Sequence, residues 1–575
     1  MMATSKLSGM QSRAYTRAVI PTTVMLTMRG HFLNPSRGPY AVRRLSLVLC
    51  GLALLGFAAC GSDDEASRDV TSSIDEQPSD AVMKLAEGQA ASPTRAMGHG
   101  DRPNVLLIIV DDLRSSLGCF GDELADTPHI DSLANESLVF DRAYCQQALC
   151  SPSRSSMLTG RRPNTTGVVG LSQDFRKKLP DVVTLPQMFR EAGYQTRAFG
   201  KVHHGHGDLD DEASWSQAPW RLQDWSHYHT PESLAVLETQ RQFMIDNGYT
   251  EKPRGPAIEV APVKGELLVD GEIASEAIRC LEELQDQPFF LAVGFRKPHL
   301  PFVAPAECFD RYDPDQFELP ERRQMPEGTE EFIGSQFGEL RASPDIPLEG
   351  PLSDDLTRQL THAYYACVSH VDDQVGRLIA ALERLDLTED TVVVFWSDHG
   401  FQLGELGQWC KHTNFEEAVR APFFLRLPKE ASLPESVEAR RALGAHTRAL
   451  VEFVDLYPTL AELAGLPADN GIEGLSLLPL FVDPERPWKQ AVFSQYPRLV
   501  PSLGRRGMGF SMRTDRHRFT IWRSGGEFVT AELYDYQVDP AGARNLAQEE
   551  SHAQLRQELE AQHERNWRGA LPPVD

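Results

Sequence analysis

The nine cysteines of this 575-residue chain include no CxxC pair and no other zinc-ligand spacing, which sets aside zinc-finger and zinc-ribbon architectures. No internal repeat is present, so solenoids and propellers are excluded. No basic patch offsets a formal charge of −25, and a chain of that sign repels nucleic acid. It would repel a polyanionic glycan at long range as well, so a site for an anionic ligand has to gather its positive charge locally. The first 60 residues contain no aspartate or glutamate, and their apolar run, Leu45 to Ala59, is short for a bilayer span.

What that acid-free segment does contain is Lys6, Arg13, Arg17, Arg29, Arg37, Arg43 and Arg44, then the apolar run, then Cys60. A cationic start, an apolar stretch and small residues before a cut describe an export signal over residues 1–60. Gly56-Phe57-Ala58-Ala59-Cys60 is similar to a bacterial lipobox, in which the cysteine is lipidated and anchors the chain to a membrane. Simple secretion is the alternative, and Met28 is an alternative start. Residues 61–100, rich in Ser, Asp and Glu, read as a disordered tether. Of the other cysteines, Cys119, Cys145, Cys280, Cys308, Cys367 and Cys410 show no readable pairing, although export permits disulfides.

From residue 101 the pattern becomes that of a folded α/β domain. Asn104 to Asp112 (NVLLIIVDD) is a continuous apolar run ending in two acids, the signature of a strand buried on both faces. Similar runs lie at 391–397, 288–295 and 422–427. Apolar residues spaced by three and four from Leu356 to Leu385 predict a long helix with one stripe against a sheet. Thr184 to Ala192 and Val451 to Leu466, interrupted at Pro458, are shorter helical candidates. The class is α/β: a large mixed, mostly parallel sheet flanked by helices on both faces, over residues 101–473. Short strands and turns over 474–575 predict a smaller C-terminal antiparallel-sheet subdomain.

Ligands of such sheets bind beyond the carboxyl ends of the strands. Asp111-Asp112 and Asp398-His399 both fall there, and paired acidic strand ends suit a hard cation that collects oxygen ligands from separate segments. Lys201-Val202-His203-His204, His299 and Lys411 also follow predicted strands. Each taken singly is as well explained as a cap, a surface group or a packed residue; their shared location is what makes one site plausible. A loop-rich insertion between about 208 and 256 carries Trp215, Trp220, Trp225, His227, Tyr228 and His229, which either stack on sugar rings or pack on themselves.

Cys150-Ser151-Pro152-Ser153-Arg154, with Thr159-Gly160 at the right offset, resembles the C/S-x-P-x-R-x-x-x-x-T-G signature of the sulfatase family. The resemblance extends over roughly 103–427 through NVLLIIVDDLRSSLGCFGD, FGKVHHGH, FFLAVGFRKPHLPF and VVVFWSDHGFQLGELGQWCKHTNF. It points to the alkaline-phosphatase superfamily and, within it, the iduronate-2-sulfatase-like branch. The resemblance implies that Cys150 is oxidised by a maturation enzyme, formylglycine-generating or anaerobic, to formylglycine. The hydrate of that aldehyde attacks the sulfur of a sulfate ester, and its second hydroxyl then drives sulfate release. It further implies a Ca²⁺ held by Asp111, Asp112, Asp398, His399 and residue 150. Arg154 orients the hydrate, Lys201 and Lys411 hold sulfate oxygens, and His204 and His299 handle protons. The expected substrate is a sulfated saccharide. Phe401, where lysosomal iduronate sulfatases have Trp, sets the particular sugar apart from the chemistry. A phosphonate or phosphate monoester hydrolase of the same superfamily and a non-catalytic glycan-binding lipoprotein remain as alternatives.

Overall fold

The computed structural model describes residues 102–204, 210–222, 227–249, 252–428 and 443–572. The residues expected to form the export signal, the lipobox at Cys60 and the tether lie outside them. The main sheet contains seven strands: β1 (Asn104–Asp111), β2 (Leu138–Phe140), β3 (Gln195–Gly200), β4 (Phe289–Pro298), β5 (Thr391–Ser397), β6 (Phe423–Arg426) and β7 (Ala445–Thr447). Their order is β7-β2-β6-β5-β1-β4-β3. Only β6 runs against its neighbours; the other pairings are parallel.

The unbroken apolar run of β1 follows from its central place. Leu106, Ile108 and Val110 face one core, Val105, Leu107 and Ile109 the other. Helix α1 (Cys150–Thr159) and helix α2 (Leu185–Glu191) cover the second face. Helix α3 (Pro231–Asn247) belongs to the insertion, whereas α4 (Val269–Leu284) covers the first face. A four-residue turn of helix, α5 (Gly338–Arg341), precedes α6 (Asp354–Arg384), whose stripe of Leu360, Tyr364, Cys367, Val371, Val375, Leu378 and Leu382 is fully buried against that same face. Burying a side chain of this size stabilises the fold by about 1.5–3 kcal/mol each, so the sheet and α6 are the stable frame on which the strand ends are mounted.

The C-terminal region forms a four-stranded antiparallel sheet of β8 (Ala491–Val500), β9 (Arg505–Thr514), β10 (His517–Ser524) and β11 (Glu527–Asp535). One face packs Met512, Phe519, Ile521 and Leu533 against Leu559. The other presents Trp522 and Tyr534 to Ile333, Leu406 and Phe415 of the main domain.

Two sequence expectations need correction. Val451–Leu466 is not one helix. Val451–Glu452 is a short strand, a single 3-10 turn follows, and helix α7 spans Leu456–Leu463. Pro458 therefore lies in the first helical turn, where its missing N–H would have had no partner. The insertion is also less loop-like than its composition indicates, because α3 occupies 17 residues of it, capped by the Thr230 side chain and ended by Gly248. Its aromatics pack inward: Trp215 is buried against His203, Trp220 leans on Phe199 and Tyr228 is buried. Trp225 lies outside the described residues. The seven described cysteines are free thiols, with no disulfide among them.

Candidate active site

Strands β1 and β5 are adjacent and parallel, with Val110 opposite Ser397. Their carboxyl ends therefore deliver Asp111-Asp112 and Asp398-His399 side by side. All four residues are completely buried. Asp112 turns into the left-handed region (φ 64°), and its N–H donates to Asp398 Oδ1 at 3.2 Å. His399 Nδ1 lies 2.9 Å from the Gly400 carbonyl; a carbonyl only accepts, so Nδ1 donates its hydrogen there and Nε2 offers a lone pair.

Helix α1 begins at Cys150, against these strand ends, and all ten of its residues are buried. Its amino end carries partial positive charge, which favours an anion beside residue 150. Arg154 stands one turn further along on the same face. Its Nε donates to Asp398 Oδ2 at 2.9 Å, one terminal nitrogen to Asp111 Oδ1 at 3.2 Å, and the other to the carbonyls of Lys201 and of Val202. The Thr159-Gly160 part of the motif stops the helix. Gly160 is left-handed (φ 65°), and a Cβ there would lie 3.2 Å from Tyr457 Cβ.

Around Cys150 Sγ converge Asp111 Oδ1, His399 Nε2 and Lys201 Nζ, each at 3.4 Å. Lys201 follows β3 and pairs with Asp111 Oδ2. Lys411 Nζ sits 2.8 Å from both Asp112 carboxylate oxygens and 2.9 Å from Glu339 Oε2. His299, just past β4, places Nε2 2.9 Å from Glu339 Oε1, and its Nδ1 lies 2.6 Å from the Leu300 carbonyl. The two neighbouring histidines after β3 differ: His203 is packed between Phe175 and Trp215, whereas His204 stands near Lys201, Asp111, Arg154 and His299.

The electrostatics follow from burial and pairing. Burial alone would raise the Asp111 carboxyl, but Lys201, then His299, Arg154 and Lys411, hold it well below the usual carboxylate range. Burial, then Asp111, pushes the Cys150 thiol well above its ordinary value, so unmodified Cys150 is a protonated, poor nucleophile. Against burial, Asp112 and Glu339 hold the Lys411 ammonium above its usual value. Burial, then Lys201, drives the His204 imidazole well below its own.

Asp111, Cys150, Asp398 and His399 each bring a ligand atom within 4.8 Å of all the others, and Asp111, Asp112 and His299 form a second such group. Three buried carboxylates on one sheet edge make an oxygen-rich donor set, which suits a hard divalent cation better than a thiophilic one. All ten residues singled out from the sequence come together here. Glu339 was not among them: it sits in a four-residue helix inside a patternless stretch. Arg498 was also missed. It reaches from β8 to donate to the His412 carbonyl and lies over the Tyr496 ring, 4.6 Å from its centre. Neither has a local signal, because both work by contact across the fold. Phe401 is fully buried and stacks on Tyr364.

Known proteins match most of the described chain. The sulfatase family model matches residues 103–466, and a model described as N-sulphoglucosamine sulphohydrolase, C-terminal, matches 404–568. The chain is 35% identical over 541 residues to iduronate 2-sulfatase of Mus musculus, covering 83% of this chain and 95% of that one. In fold it is similar to a phosphonate monoester hydrolase from Silicibacter pomeroyi, with TM-score 0.62 and 24% identity over 82% of this chain and 96% of the other. It is also similar to a structure solved in complex with D-glucosamine-2-N,6-O-disulfate, with TM-score 0.59 and 22% identity over 81% and 99%. The Cys150 motif, the matched family model and the 35% identity together show that this chain belongs to the sulfatase family.

Proposed function

We propose that the protein hydrolyses sulfate esters of a sulfated saccharide, with residue 150 as the nucleophile after its conversion to formylglycine. The observation that carries this reading is the convergence on Cys150 Sγ of a carboxylate, an imidazole and an ammonium, each at 3.4 Å, beside two further buried carboxylates. Formylglycine as its hydrate would supply the attacking hydroxyl, and Asp111, Asp112, Asp398, His399 and residue 150 would hold a Ca²⁺ whose charge would acidify that hydroxyl and offset the sulfate.

The chain's own residues do the rest. Sulfate esters resist attack mainly because their oxygens are anionic, so Lys201 and Lys411 hold those oxygens and stabilise the charge of the transition state. Arg154, fixed by Asp111 and Asp398, orients residue 150. His299 donates the proton that the departing sugar oxygen requires as the S–O bond breaks. His204, kept neutral by burial and by Lys201, accepts the proton released when sulfate leaves residue 150. Lys411→Ala and His299→Ala are each expected to lower turnover by about 100-fold or more, measured as sulfate release; near-normal rates would remove those assignments.

The similarity to iduronate 2-sulfatase makes a sulfated uronate a natural first substrate to try, alongside sulfated hexosamines. A panel of defined sulfated mono- and disaccharides, compared with an aryl phosphonate, separates this reading from phosphonate hydrolysis. We also propose that a formylglycine-forming enzyme matures the protein and that Cys60 carries a lipid anchor. None of the described helices is long and apolar enough to cross a membrane. Labelling with a radioactive fatty acid, lost in Cys60→Ser, tests the anchor.

A further inference from the structure

Glu339 touches two of the residues assigned above, yet it belongs to no motif. Helix α5 is a single turn, launched from Phe337 in the left-handed region (φ 39°). The turn is pinned before it starts: Phe337 N–H donates to Ser335 Oγ at 3.0 Å, and Ser335 N–H to Gln408 Oε1 at 2.6 Å. This places a carboxylate in the interior, 7% exposed, with Oε2 2.9 Å from Lys411 Nζ, Oε1 2.9 Å from His299 Nε2 and Oε2 3.9 Å from His412 Nε2. A buried carboxylate is costly unless it is paired, and here the pairing is specific. Lys411 and His299 hold it ionised, well below the usual glutamate range despite its burial.

The His299 contact constrains where a proton sits. Nδ1 faces the Leu300 carbonyl at 2.6 Å, and a carbonyl can only accept, so Nδ1 carries a hydrogen. A bare Nε2 would then confront a carboxylate with two acceptors facing each other. At 2.9 Å that contact requires a hydrogen on Nε2 as well. We infer that Glu339 is a positioning residue that keeps a proton on His299 Nε2 for delivery to the leaving sugar oxygen, while clamping Lys411 between itself and Asp112. The proton moves from Nε2 to the oxygen as the S–O bond breaks, and the carboxylate, left beside a bare nitrogen, favours reprotonation of His299. The inference rests on the proposed function.

Leaving-group chemistry provides the test. A sugar alkoxide leaves only with a proton, whereas a nitrophenolate leaves without one. Both substrates carry the same sulfate, so anything lost through Lys411 affects both and cancels in their ratio. Wild type, His299→Ala, Glu339→Gln and Glu339→Asp, prepared with mature residue 150, are compared on a sugar sulfate and on 4-nitrophenyl sulfate. For Glu339→Gln the sugar-to-aryl ratio of kcat/KM is expected to fall by about 10- to 100-fold, in the direction of His299→Ala. Glu339→Asp keeps the charge and should restore part of the ratio; it carries the same test if the Gln variant does not fold. Equal losses on both substrates would overturn the inference and leave the proposed function standing, whereas a wild type that releases sulfate from neither would sink the proposed function itself.

Discussion

Asp111, Asp112, Asp398 and His399 leave two adjacent parallel strands, while Lys411 stands on a loop between two residues in the left-handed region, Cys410 (φ 65°) and His412 (φ 72°). The strand ends inherit their geometry from β1 and β5, whose backbones are hydrogen-bonded on both sides. The loop has only a two-residue ladder before it, Trp409-Cys410 against Gln402-Leu403. Each left-handed non-glycine residue costs on the order of 1–3 kcal/mol and persists only where its surroundings over-determine it. Here those surroundings come from elsewhere: Arg498 holds the His412 carbonyl, Arg518 donates to the Asn414 carbonyl at 2.6 Å, and Asn414 Nδ2 donates to the Gly509 carbonyl at 3.0 Å. The donor-rich half of the site is thus mounted on the main sheet, and part of its cationic half is held in place by the C-terminal sheet.

The comparison can be broken in order of expected effect. Cys150→Ala removes the precursor of the nucleophile and should cost about 10⁴-fold or more in sulfate release with a melting temperature close to wild type; a residual rate within tenfold would place the nucleophile elsewhere. Asp398→Asn should lose activity and stability together, because Arg154, fully buried, loses the charged partner at 2.9 Å. Breaking such a pair costs about 3–5 kcal/mol, readable by denaturant unfolding. An unchanged midpoint would show that the strand-end half tolerates disruption as a loop does.

Arg498→Ala tests the other half. Loss of its hold on His412 should lower kcat/KM by about 10- to 100-fold through misplacement of Lys411, while the main domain unfolds at its normal denaturant midpoint. If kcat/KM is unaffected, the C-terminal sheet does not position the loop. The smallest effect concerns pH. Burial lowers His203 from 6.5 to about 4 and His370 to about 3. Between those values and 6.5 the unfolded chain binds the protons that the folded one refuses, so stability is fully present above pH 6.5 and falls as pH drops toward 4. Each such histidine contributes a slope of about 1.4 kcal/mol per pH unit in that window. His203→Phe, which suits the cleft between Phe175 and Trp215, should flatten the slope; an unchanged slope would assign it to other groups.

The core strands, the long helix α6, the nucleophile motif and the acidic strand ends were legible because each is written as a local pattern. Buried strands need unbroken apolar runs, a helix on a sheet needs its stripe, and the Cys150 to Gly160 segment matches the family signature. The Val451–Leu466 segment misled because its apolar spacing fits a helix throughout, while the pairing of Val451 with Ala143 takes the first two residues into a strand. The insertion misled through its composition, since turn-forming residues flank a helix that is itself ordinary. Glu339 and Arg498 had no pattern to read. A single charge, whether in an irregular stretch like Glu339 or on a strand like Arg498, carries no trace of the partner it meets across the fold.

By itself, then, the chain's sequence determined the α/β class through periodicity, and through its resemblance to the sulfatase signature it pointed to residue 150 and to the chemical types expected round it. Tertiary structure alone decided how Arg154 divides itself between two carboxylates and that Glu339 joins Lys411 to His299. Those are matters of distance between segments remote in sequence, and only the packing of the folded chain sets such distances.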